Sequence, residues 1–323
     1  MSTASRINVQ GWPDPGNSFR HEALFYGGLD RFVEGTRAFV MEGLEADEPT
    51  LVVAGAHKLA ALRAELGTRA DLVQFADMGD VGLNPARIIP AWVDFLAHSA
   101  PNGRRVRGIC EPIWAERSSD ELVECQRHES LLNVAFADAP GWWLLCPYDV
   151  GELPANVLDE ARRSHPFLWQ EGVHTGSSTY RDLRTAAKPF DAPLPPRPAG
   201  HQLIILDVAN LRHVRDVVAR AARSHGLDAG RTADLVLSVN ELAGNSLRHG
   251  GGSGSVRIWT ADRMLICEIE DAGHIDKPLA GRERPLPDRE NGFGLWLVNQ
   301  LCDLVQVRTF KKGTVIRLHM ARA

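Results

Sequence analysis

The sequence predicts an α/β three-layer sandwich followed by a smaller α+β domain. Strand-like and helix-like segments alternate before residue 184, and they are grouped differently after residue 200. Between the two parts, residues 188–198 contain five prolines, and such a run continues neither a helix nor a central strand. A chain of 323 residues also suits two domains of ordinary size. We therefore predict domains at 18–183 and 201–323, joined by a proline-rich linker at 184–200.

In the N-terminal part, short apolar segments predict strands and longer amphipathic segments predict helices. Helices of this length between strands imply parallel pairing with right-handed crossovers. The predicted strands are 23–26, 50–54, 72–75, 106–110, 142–146 and 167–169, and the predicted helices are 30–44, 58–66, 86–98, 120–136 and 155–164.

After the linker, the order of elements predicts helices on one face of a mostly antiparallel sheet. Lys312-Gly313 suits the tight turn of a final hairpin. The predicted strands are 203–206, 255–260, 265–270, 304–309 and 314–319, and the predicted helices are 211–225, 231–249 and 293–302.

The composition is that of an ordinary globular protein, with 44% hydrophobic and 24% charged residues. A net charge of −5 with interspersed acids and bases argues against a nucleic-acid binder. We expect no membrane span and no signal peptide, since long apolar runs are lacking. The cysteines are odd in number and form no C-x-x-C pair, so we expect reduced thiols in a cytoplasmic protein. They are Cys110, Cys125, Cys146, Cys267 and Cys302.

The predicted helix at 231–249 carries a polar stripe. Glu241, Asn245 and His249 follow one another at four-residue spacing, and Ser238 falls on the same side. A helix that buries one face and lines a cleft with a carboxylate and an amide has this pattern. A solvated helix face has it too, so the helix alone does not decide between them.

Three short motifs follow this helix. Asp271-Ala272-Gly273 ends a predicted strand, where the carboxylate can accept a hydrogen bond from an exocyclic amine or simply form a turn. The segment 291–295 (NGFGL) opens a helix with two glycines, so backbone N–H groups can approach phosphate oxygens. Gly313-Thr314 begins the last strand and places a hydroxyl there.

Taken together, E-x-x-x-N on a helix, D-x-G after a strand, G-x-G-L opening a helix and G-T before the last strand resemble the GHKL ATPases with their Bergerat fold. The resemblance covers residues 203–320. It implies ATP and Mg²⁺ as ligands, with Asn245 holding the Mg²⁺ and Glu241 acting as general base or orienting the nucleophile.

The same resemblance assigns the remaining site residues. Asp271 reads the adenine amino group, and Gly273 lets the backbone approach the base. Gly292 and Gly294 contact phosphates, and Thr314 supports Asp271.

The first glycine motif departs from the usual D-x-G-x-G, because His274 replaces its second glycine. This leaves the adenine contact intact but bears on the mobility of the adjoining lid, 274–290, and on whether kinase activity is retained. The lid carries Arg282, Arg284 and Arg289, which either neutralise phosphate charge or are simply solvated.

The segments ELAGNSLRHG at 241–250 and GFGLWLVNQLCD at 292–303 resemble the anti-sigma-factor serine kinase branch, which is RsbW-like. This implies a serine/threonine kinase that phosphorylates an anti-anti-sigma partner with a STAS domain, regulates transcription in stress responses and can sequester a sigma factor. A homodimer is a further family expectation. Two alternatives remain: a non-catalytic ATP-dependent partner switch, and a sensor histidine kinase that uses His128. For His128 we favour a structural role.

The N-terminal part lacks a phosphate loop. Its opening HEALFY at 21–26 and the run GICEPIW at 108–114 resemble the MEDS sensory domain, which is RecA/KaiC-like without the phosphate loop. A MEDS domain followed by a GHKL domain resembles the RsbA-family regulators and implies sensing of an unknown signal. His21, Cys110, Cys125, His128 and His165 are candidate metal or haem ligands, but they lack ligand spacing, so we expect structural roles.

Overall fold

The computed structural model describes residues 18–100, 103–139, 141–183, 185, 187–285 and 292–322. They form two compact units, and each unit draws on several stretches of the chain. The first unit contains described residues of 18–76, 95–111 and 136–180, and the second contains those of 77–94, 112–135 and 181–322. Because the units interleave along the chain, the predicted linker at 184–200 stays a prediction. Among the described residues, no helix combines the length and apolarity that a membrane crossing requires.

The larger sheet contains seven strands in the order β3-β2-β4-β5-β1-β6-β7. The pairs β2–β4, β4–β5, β5–β1 and β1–β6 are parallel, which confirms the α/β prediction. The strands are β1 (Arg20–Tyr26), β2 (Thr50–Ala54), β3 (Gln74–Asp77), β4 (Val106–Cys110), β5 (Trp142–Asp149), β6 (Phe167–Gln170) and β7 (Val173–Gly176).

Strand β7 was not predicted. It is short and largely exposed, and it pairs antiparallel with β6. The two-residue turn between them places both Glu171 and Gly172 at positive φ, as a type I′ hairpin turn requires. Glutamate is an unusual residue at such a position, so the turn gave no sequence signal. In addition, β3 begins later than the predicted strand at 72–75, because Leu72 belongs to a 3-10 turn, Gly67–Leu72.

Six helices accompany these strands in the sequence, and two of them, α3 and α5, lie wholly in the second unit. The core of the first unit is built from apolar side chains of α1, α2 and the central strands, among them Phe32, Phe39, Val52 and Leu62. The helices are α1 (Gly28–Glu45), α2 (Ala56–Leu66), α3 (Met78–Gly82), α4 (Ile88–Ser99), α5 (Ser119–Ala135) and α6 (Ala155–Ser164).

The second unit contains a five-stranded sheet in the order β11-β12-β10-β9-β8. Every neighbouring pair is antiparallel, which confirms the α+β prediction. Three helices pack on one face through a core that includes Val218, Leu242 and Leu318. The elements are β8 (Gln202–Leu206), α7 (Leu211–His225), α8 (Ala229–His249), β9 (Gly254–Ala261), β10 (Met264–Asp271), α9 (Phe293–Leu301), β11 (Leu304–Phe310) and β12 (Gly313–Ala321).

The opposite face of this sheet carries buried polar side chains. Side chains alternate across a strand, so Cys267 and Leu318 join the core while their neighbours Glu268 and Arg317 face the other way. Arg317 Nε donates to Glu268 Oε2 at 2.9 Å, and both side chains are buried.

The proline-rich segment lies along this polar face. The carbonyl oxygen of Pro195 accepts from Arg317 Nη2 at 2.9 Å, and that of Ala192 accepts from Arg308 Nε at 3.2 Å. Arg197 pairs with Glu268. The segment is therefore hydrogen-bonded into the second unit.

Two earlier segments also belong to the second unit. Asn84 Nδ2 donates to the carbonyl oxygens of Asn299 at 3.1 Å and Cys302 at 3.3 Å. On α5, Glu124 lies 2.8 Å from Arg308 of β11. Residues some two hundred positions apart in the chain thus form one packed unit.

Candidate nucleotide-binding site

Helix α8 and the start of α9 bring three predicted site residues together. Glu241 and Asn245 stand one turn apart on α8, and both are partly buried. A Cβ added at Gly294 would lie 3.0 Å from Asn245 Nδ2 and 3.4 Å from Glu241 Oε2. A side chain at this position would press on both groups, which would have to shift by a few tenths of an ångström. Gly292 is the N-cap of α9 with φ 111°, so the helix N-terminus opens beside the carboxylate and the amide.

Asn245 has a partner that the sequence did not suggest. Arg248, one turn further along α8, donates from Nη2 to Asn245 Oδ1 at 2.9 Å. Arg248 is exposed, so it can move away without disturbing the core. Asn245 Oδ1 keeps a second lone pair, but a metal ion bound there would lie close to the cationic guanidinium group of Arg248.

Asp271 ends β10 and is held on both carboxylate oxygens. Ser246 of α8 donates to Oδ2 at 2.5 Å, and the backbone N–H of Gly273 donates to Oδ1 at 2.8 Å. Each oxygen keeps a lone pair for a further donor. Sequence reasoning missed Ser246, which lies off the stripe of four-residue spacing. Its position beside Asn245 in the E-x-x-x-N-S run was the available signal.

The backbone is crowded around Asp271. A Cβ at Gly273 would lie 2.8 Å from the carbonyl oxygen of His249, so a larger residue does not fit. Thr314 pairs with Asp271 across β10 and β12, and its Oγ1 donates to the carbonyl oxygen of Gly273 at 2.8 Å. Thr314 therefore supports the Asp271 turn through Gly273.

Two residues of the predicted polar stripe, Ser238 and His249, do not join Glu241 and Asn245 at the site. Ser238 is fully buried, and its hydroxyl donates to the carbonyl oxygen of Asp234 at 2.8 Å. His249 is exposed at the end of α8. Ser238 faces α9 as Glu241 and Asn245 do, but it lies further along that helix, where Cys302 Sγ is 3.5 Å from its hydroxyl, so it is buried and takes no part in the site.

The lid arginines have different surroundings. Arg282 is buried, with its Nη2 3.3 Å from Glu124 Oε2, and burial lowers its pKa to about 10, so it stays cationic at neutral pH. Arg284 is exposed and lies 3.1 Å from Asp94. His274 is exposed, while Arg289 and Asn291 lie outside the described residues. Arg282 is therefore not solvated, and its contact with phosphate stays a prediction.

In the first unit, four polar residues meet at the carboxyl ends of the parallel strands. Lys58 Nζ donates to Tyr26 Oη and to Glu111 Oε1, both at 2.7 Å, and Tyr26 Oη donates to Glu111 at 2.6 Å. Burial raises the pKa of both Tyr26 and Glu111. At the N-terminus of α1, Gly28 N donates to the Asp149 carboxylate at 3.2 Å. A phosphate group at this helix end would have to displace that carboxylate.

The candidate metal or haem ligands are all buried. The rings of His21 and His165 are in contact at a tilt of 41°, with centroids 3.9 Å apart, and His21 Nε2 lies 3.3 Å from Cys146 Sγ, a residue that was not among the candidates. His128 and Cys125 lie on α5. Full burial of His128 agrees with the structural role expected for it.

The antiparallel sheet is covered by a helix that carries Glu241 and Asn245. Asp271 lies at the end of a strand, and Gly294 lies at the start of another helix. This arrangement defines an ATPase domain of the histidine kinase-like class. Residues 204–320 match the family model of the histidine kinase-like ATPase domain. Residues 20–166 match MEDS, the methanogen/methylotroph DcmR sensory domain. The chain thus carries a MEDS domain at its N-terminus and an ATPase domain at its C-terminus, which confirms both predicted resemblances and implies ATP binding.

Two solved structures resemble part of the chain. The RsbU and RsbW domains of Rv1364c from Mycobacterium tuberculosis align at 20% identity and a TM-score of 0.30, over 38% of this chain and 33% of that one. The Acinetobacter baumannii histidine kinase AdeS aligns at 12% identity and a TM-score of 0.23, over 37% of this chain and 67% of that one. The chain thus spans about a third of the first of these structures. Among curated proteins, none matches the sequence.

Proposed function

We propose that the chain is a cytoplasmic, ATP-dependent protein serine/threonine kinase and anti-sigma factor, controlled by its N-terminal sensory domain. Its substrate is an anti-anti-sigma protein with a STAS domain, and partner switching with that protein controls a sigma factor. The observation that carries the proposal is the placement of the Glu241 carboxylate beside Gly294 at the opening of α9. A domain that only binds nucleotide needs no base at this position.

The described residues fit an adenine nucleotide. The Asp271 carboxylate, oriented by Ser246 and Gly273, accepts a hydrogen bond from the adenine amino group. Backbone N–H groups at Gly292 and Gly294 face the phosphates at the positive end of α9.

Asn245 supplies an amide oxygen for Mg²⁺. Bound ATP with Mg²⁺ supplies the phosphoryl group for transfer. Glu241 accepts the proton of the partner's serine or threonine hydroxyl, and the chain's contribution is mainly positioning and charge neutralisation.

One observation favours a second candidate, the non-catalytic partner switch. Arg248 already occupies Asn245 Oδ1, the atom that would hold Mg²⁺. If that hydrogen bond persists with nucleotide bound, the positive charge of Arg248 beside Oδ1 opposes Mg²⁺ binding at Asn245. The histidine kinase alternative is disfavoured, because a phosphoacceptor must reach ATP and His128 is fully buried on α5.

The proposal is tested by transfer of label from γ-labelled ATP with Mg²⁺ to a panel of STAS-domain proteins. We expect acid-stable label on a serine or threonine of one partner. Glu241→Gln keeps the shape of the side chain but removes the base, so it should lose transfer while nucleotide binding persists. Asn245→Ala should lose transfer as well.

A matched serine pair on α8 tests the adenine contact. Ser246→Ala removes the hydroxyl that orients Asp271 and should weaken nucleotide binding about tenfold, the effect of one charge-assisted hydrogen bond. Ser238→Ala removes an equally buried hydroxyl that bonds only within the second unit's helices, and it should leave binding unchanged. Nucleotide binding without label on any partner would favour the non-catalytic switch, and acid-labile label on the chain itself would overturn the proposal.

A further inference from the structure

The second unit contains a cavity of about 430 Å³ that is separate from the Glu241–Asn245–Asp271 cluster. We call it the α5 cavity. Its walls come from α5, from the chain around the 3-10 turn Lys188–Asp191, from residues 275–282 of the lid and from β11. A volume of this size is within the range of small-molecule sites.

One wall of the α5 cavity has more buried positive than negative charge. The carboxylate of Glu124 is shared by two guanidinium groups: Arg308 Nη2 lies 2.8 Å from Oε1, and Arg282 Nη2 lies 3.3 Å from Oε2. All three side chains are at least 93% buried. Arg127 also lines the cavity, and its carboxylate partner is Asp191, a half-exposed residue 3.2 Å away. A buried charge is costly unless it is paired, so this wall favours an additional anion.

Arg282 offers the atom for that anion. Its Nη1 is buried and has no hydrogen-bond partner among the described residues. Its other terminal nitrogen is taken by Glu124. An unpartnered guanidinium N–H suits an anionic oxygen such as that of a carboxylate, with which it forms a charge-assisted hydrogen bond.

The rest of the lining combines an apolar part with polar side chains, which are those of Lys188, Asp276, Lys277, Asn299 and Thr309. The apolar part includes Leu131 and Val134 of α5, Ile275 and Pro278 of the lid, and Val305 of β11. A ligand that covers the apolar part and also meets the buried arginines has a hydrocarbon body and one negatively charged end. A nucleotide or an inorganic anion would leave the apolar wall without a partner.

We propose that the α5 cavity binds a small amphipathic monocarboxylate, with the carboxylate on Arg282 and Arg127 and the hydrocarbon body against α5 and the lid. The site is independent of the proposed kinase activity, because its residues are not those of the nucleotide site. It does involve the lid, since Arg282 lies between Asp271 and Gly294 in the sequence.

The proposal is tested by calorimetric titration of the full chain with octanoate. We expect saturable binding with a Kd below millimolar. Octanol has the same hydrocarbon body without the charge, and acetate has the charge without the body. Both should bind at least about tenfold more weakly, the effect of losing one charge-assisted or apolar contribution. Equal binding of octanol, or no saturable binding of octanoate, hexanoate or phenylacetate, would overturn the proposal.

Two arginines of the same lid provide a matched pair of variants. Arg282→Gln should reduce octanoate affinity at least about tenfold. Arg284→Gln alters an exposed arginine that does not line the cavity, so octanoate affinity should be unchanged. If Arg282→Gln fails to fold, Val134→Phe fills the apolar part of the cavity and should also abolish binding. Unchanged octanoate binding in both Arg282→Gln and Val134→Phe would place the ligand elsewhere and refute the site.

Discussion

His319 on β12 is a histidine that the fold keeps uncharged. Its Nε2 lies 3.0 Å from Gln306 Oε1, and both residues are on the buried polar face of the smaller sheet. Burial, reinforced by the neighbouring Arg317, lowers the pKa of His319 from 6.5 to about 4. The folded protein therefore holds this imidazole neutral at pH values where the unfolded chain would protonate it.

The first prediction is a pH dependence of stability. Because the folded pKa lies below the unfolded pKa, the stabilising contribution is complete above pH 6.5 and is lost as pH falls from 6.5 to about 4. The loss amounts to about 3 kcal/mol over that range. We expect the free energy of unfolding of the His319→Gln variant, measured in urea between pH 7 and 4.5, to fall less than that of the wild type. His213→Gln, at an exposed histidine, should keep the wild-type slope, and equal slopes for all three proteins would contradict the assignment.

Arg282 and Arg284 show at the residue scale what sequence position leaves open. They are two positions apart in one lid, yet Arg282 is buried against Glu124 and Arg284 is exposed beside Asp94. Their partners come from α5 and α4, more than 150 residues earlier in the chain. No local pattern distinguishes the two arginines, because the difference depends on which distant element covers each one.

At the scale of elements, the proline-rich segment is part of the second unit rather than a loose connector. Its carbonyl oxygens satisfy Arg308 and Arg317, and Arg197 pairs with Glu268, a carboxylate whose side chain is 1% exposed. Proline suits this position, because an extended backbone without N–H groups can present its carbonyl oxygens to the arginines of the sheet.

The second prediction compares two carboxylates that share Arg197. Glu268→Ala leaves Arg317 and Arg197 without their buried partner and should lower the free energy of unfolding by about 3–5 kcal/mol. Glu270 is 42% exposed, so Glu270→Ala should cost less than about 1 kcal/mol. Urea denaturation of both variants measures the difference. Similar losses of unfolding free energy in the two variants would mean that the proline-rich segment does not seal the polar face of the smaller sheet.

At the scale of the whole molecule, the units do not coincide with continuous halves of the chain. Helix α5 lies between β4 and β5 in the sequence, yet it belongs to the second unit together with the ATPase sheet. Residues 77–94 also belong to the second unit, where Asn84 is hydrogen-bonded to Asn299 and Cys302. The region matched by the MEDS family model thus contributes elements to both units.

The third prediction follows from this division. Asn84→Ala removes buried hydrogen bonds within the second unit and should lower its opening free energy by about 2–3 kcal/mol. In native-state hydrogen exchange, amides of α5 should lose as much protection as those of β10 and β12, while those of β5 keep theirs. Asn240→Ala, which removes an exposed bond to Arg215, is the control and should change little. Loss of protection in β5 equal to that in α5 would contradict the division.

Most elements were predictable from local patterns. The strands at 50–54 and 106–110 and the helices at 155–164 and 211–225 match the structure at both ends, because apolar periodicity and flanking turn residues define them. The motifs around Glu241, Asn245, Asp271 and Gly294 were predictable because close backbone approach restricts the residue types. Strand β7 was not, since its pairing with β6 rather than its own composition makes it a strand.

The sequence by itself determined the class of each domain and indicated the residues that meet at the candidate nucleotide site. Apolar periodicity and glycine spacing, which carry this information, are patterns among residues a few positions apart. Only the tertiary structure decided that Ser246 orients Asp271 and that Glu124 holds Arg282 beside the α5 cavity. Hydrogen bonds and ion pairs depend on distance in space, and elements far apart in the chain supply most of these partners. Burial also sets the energies of these interactions, and it exists only once each unit has packed its own core.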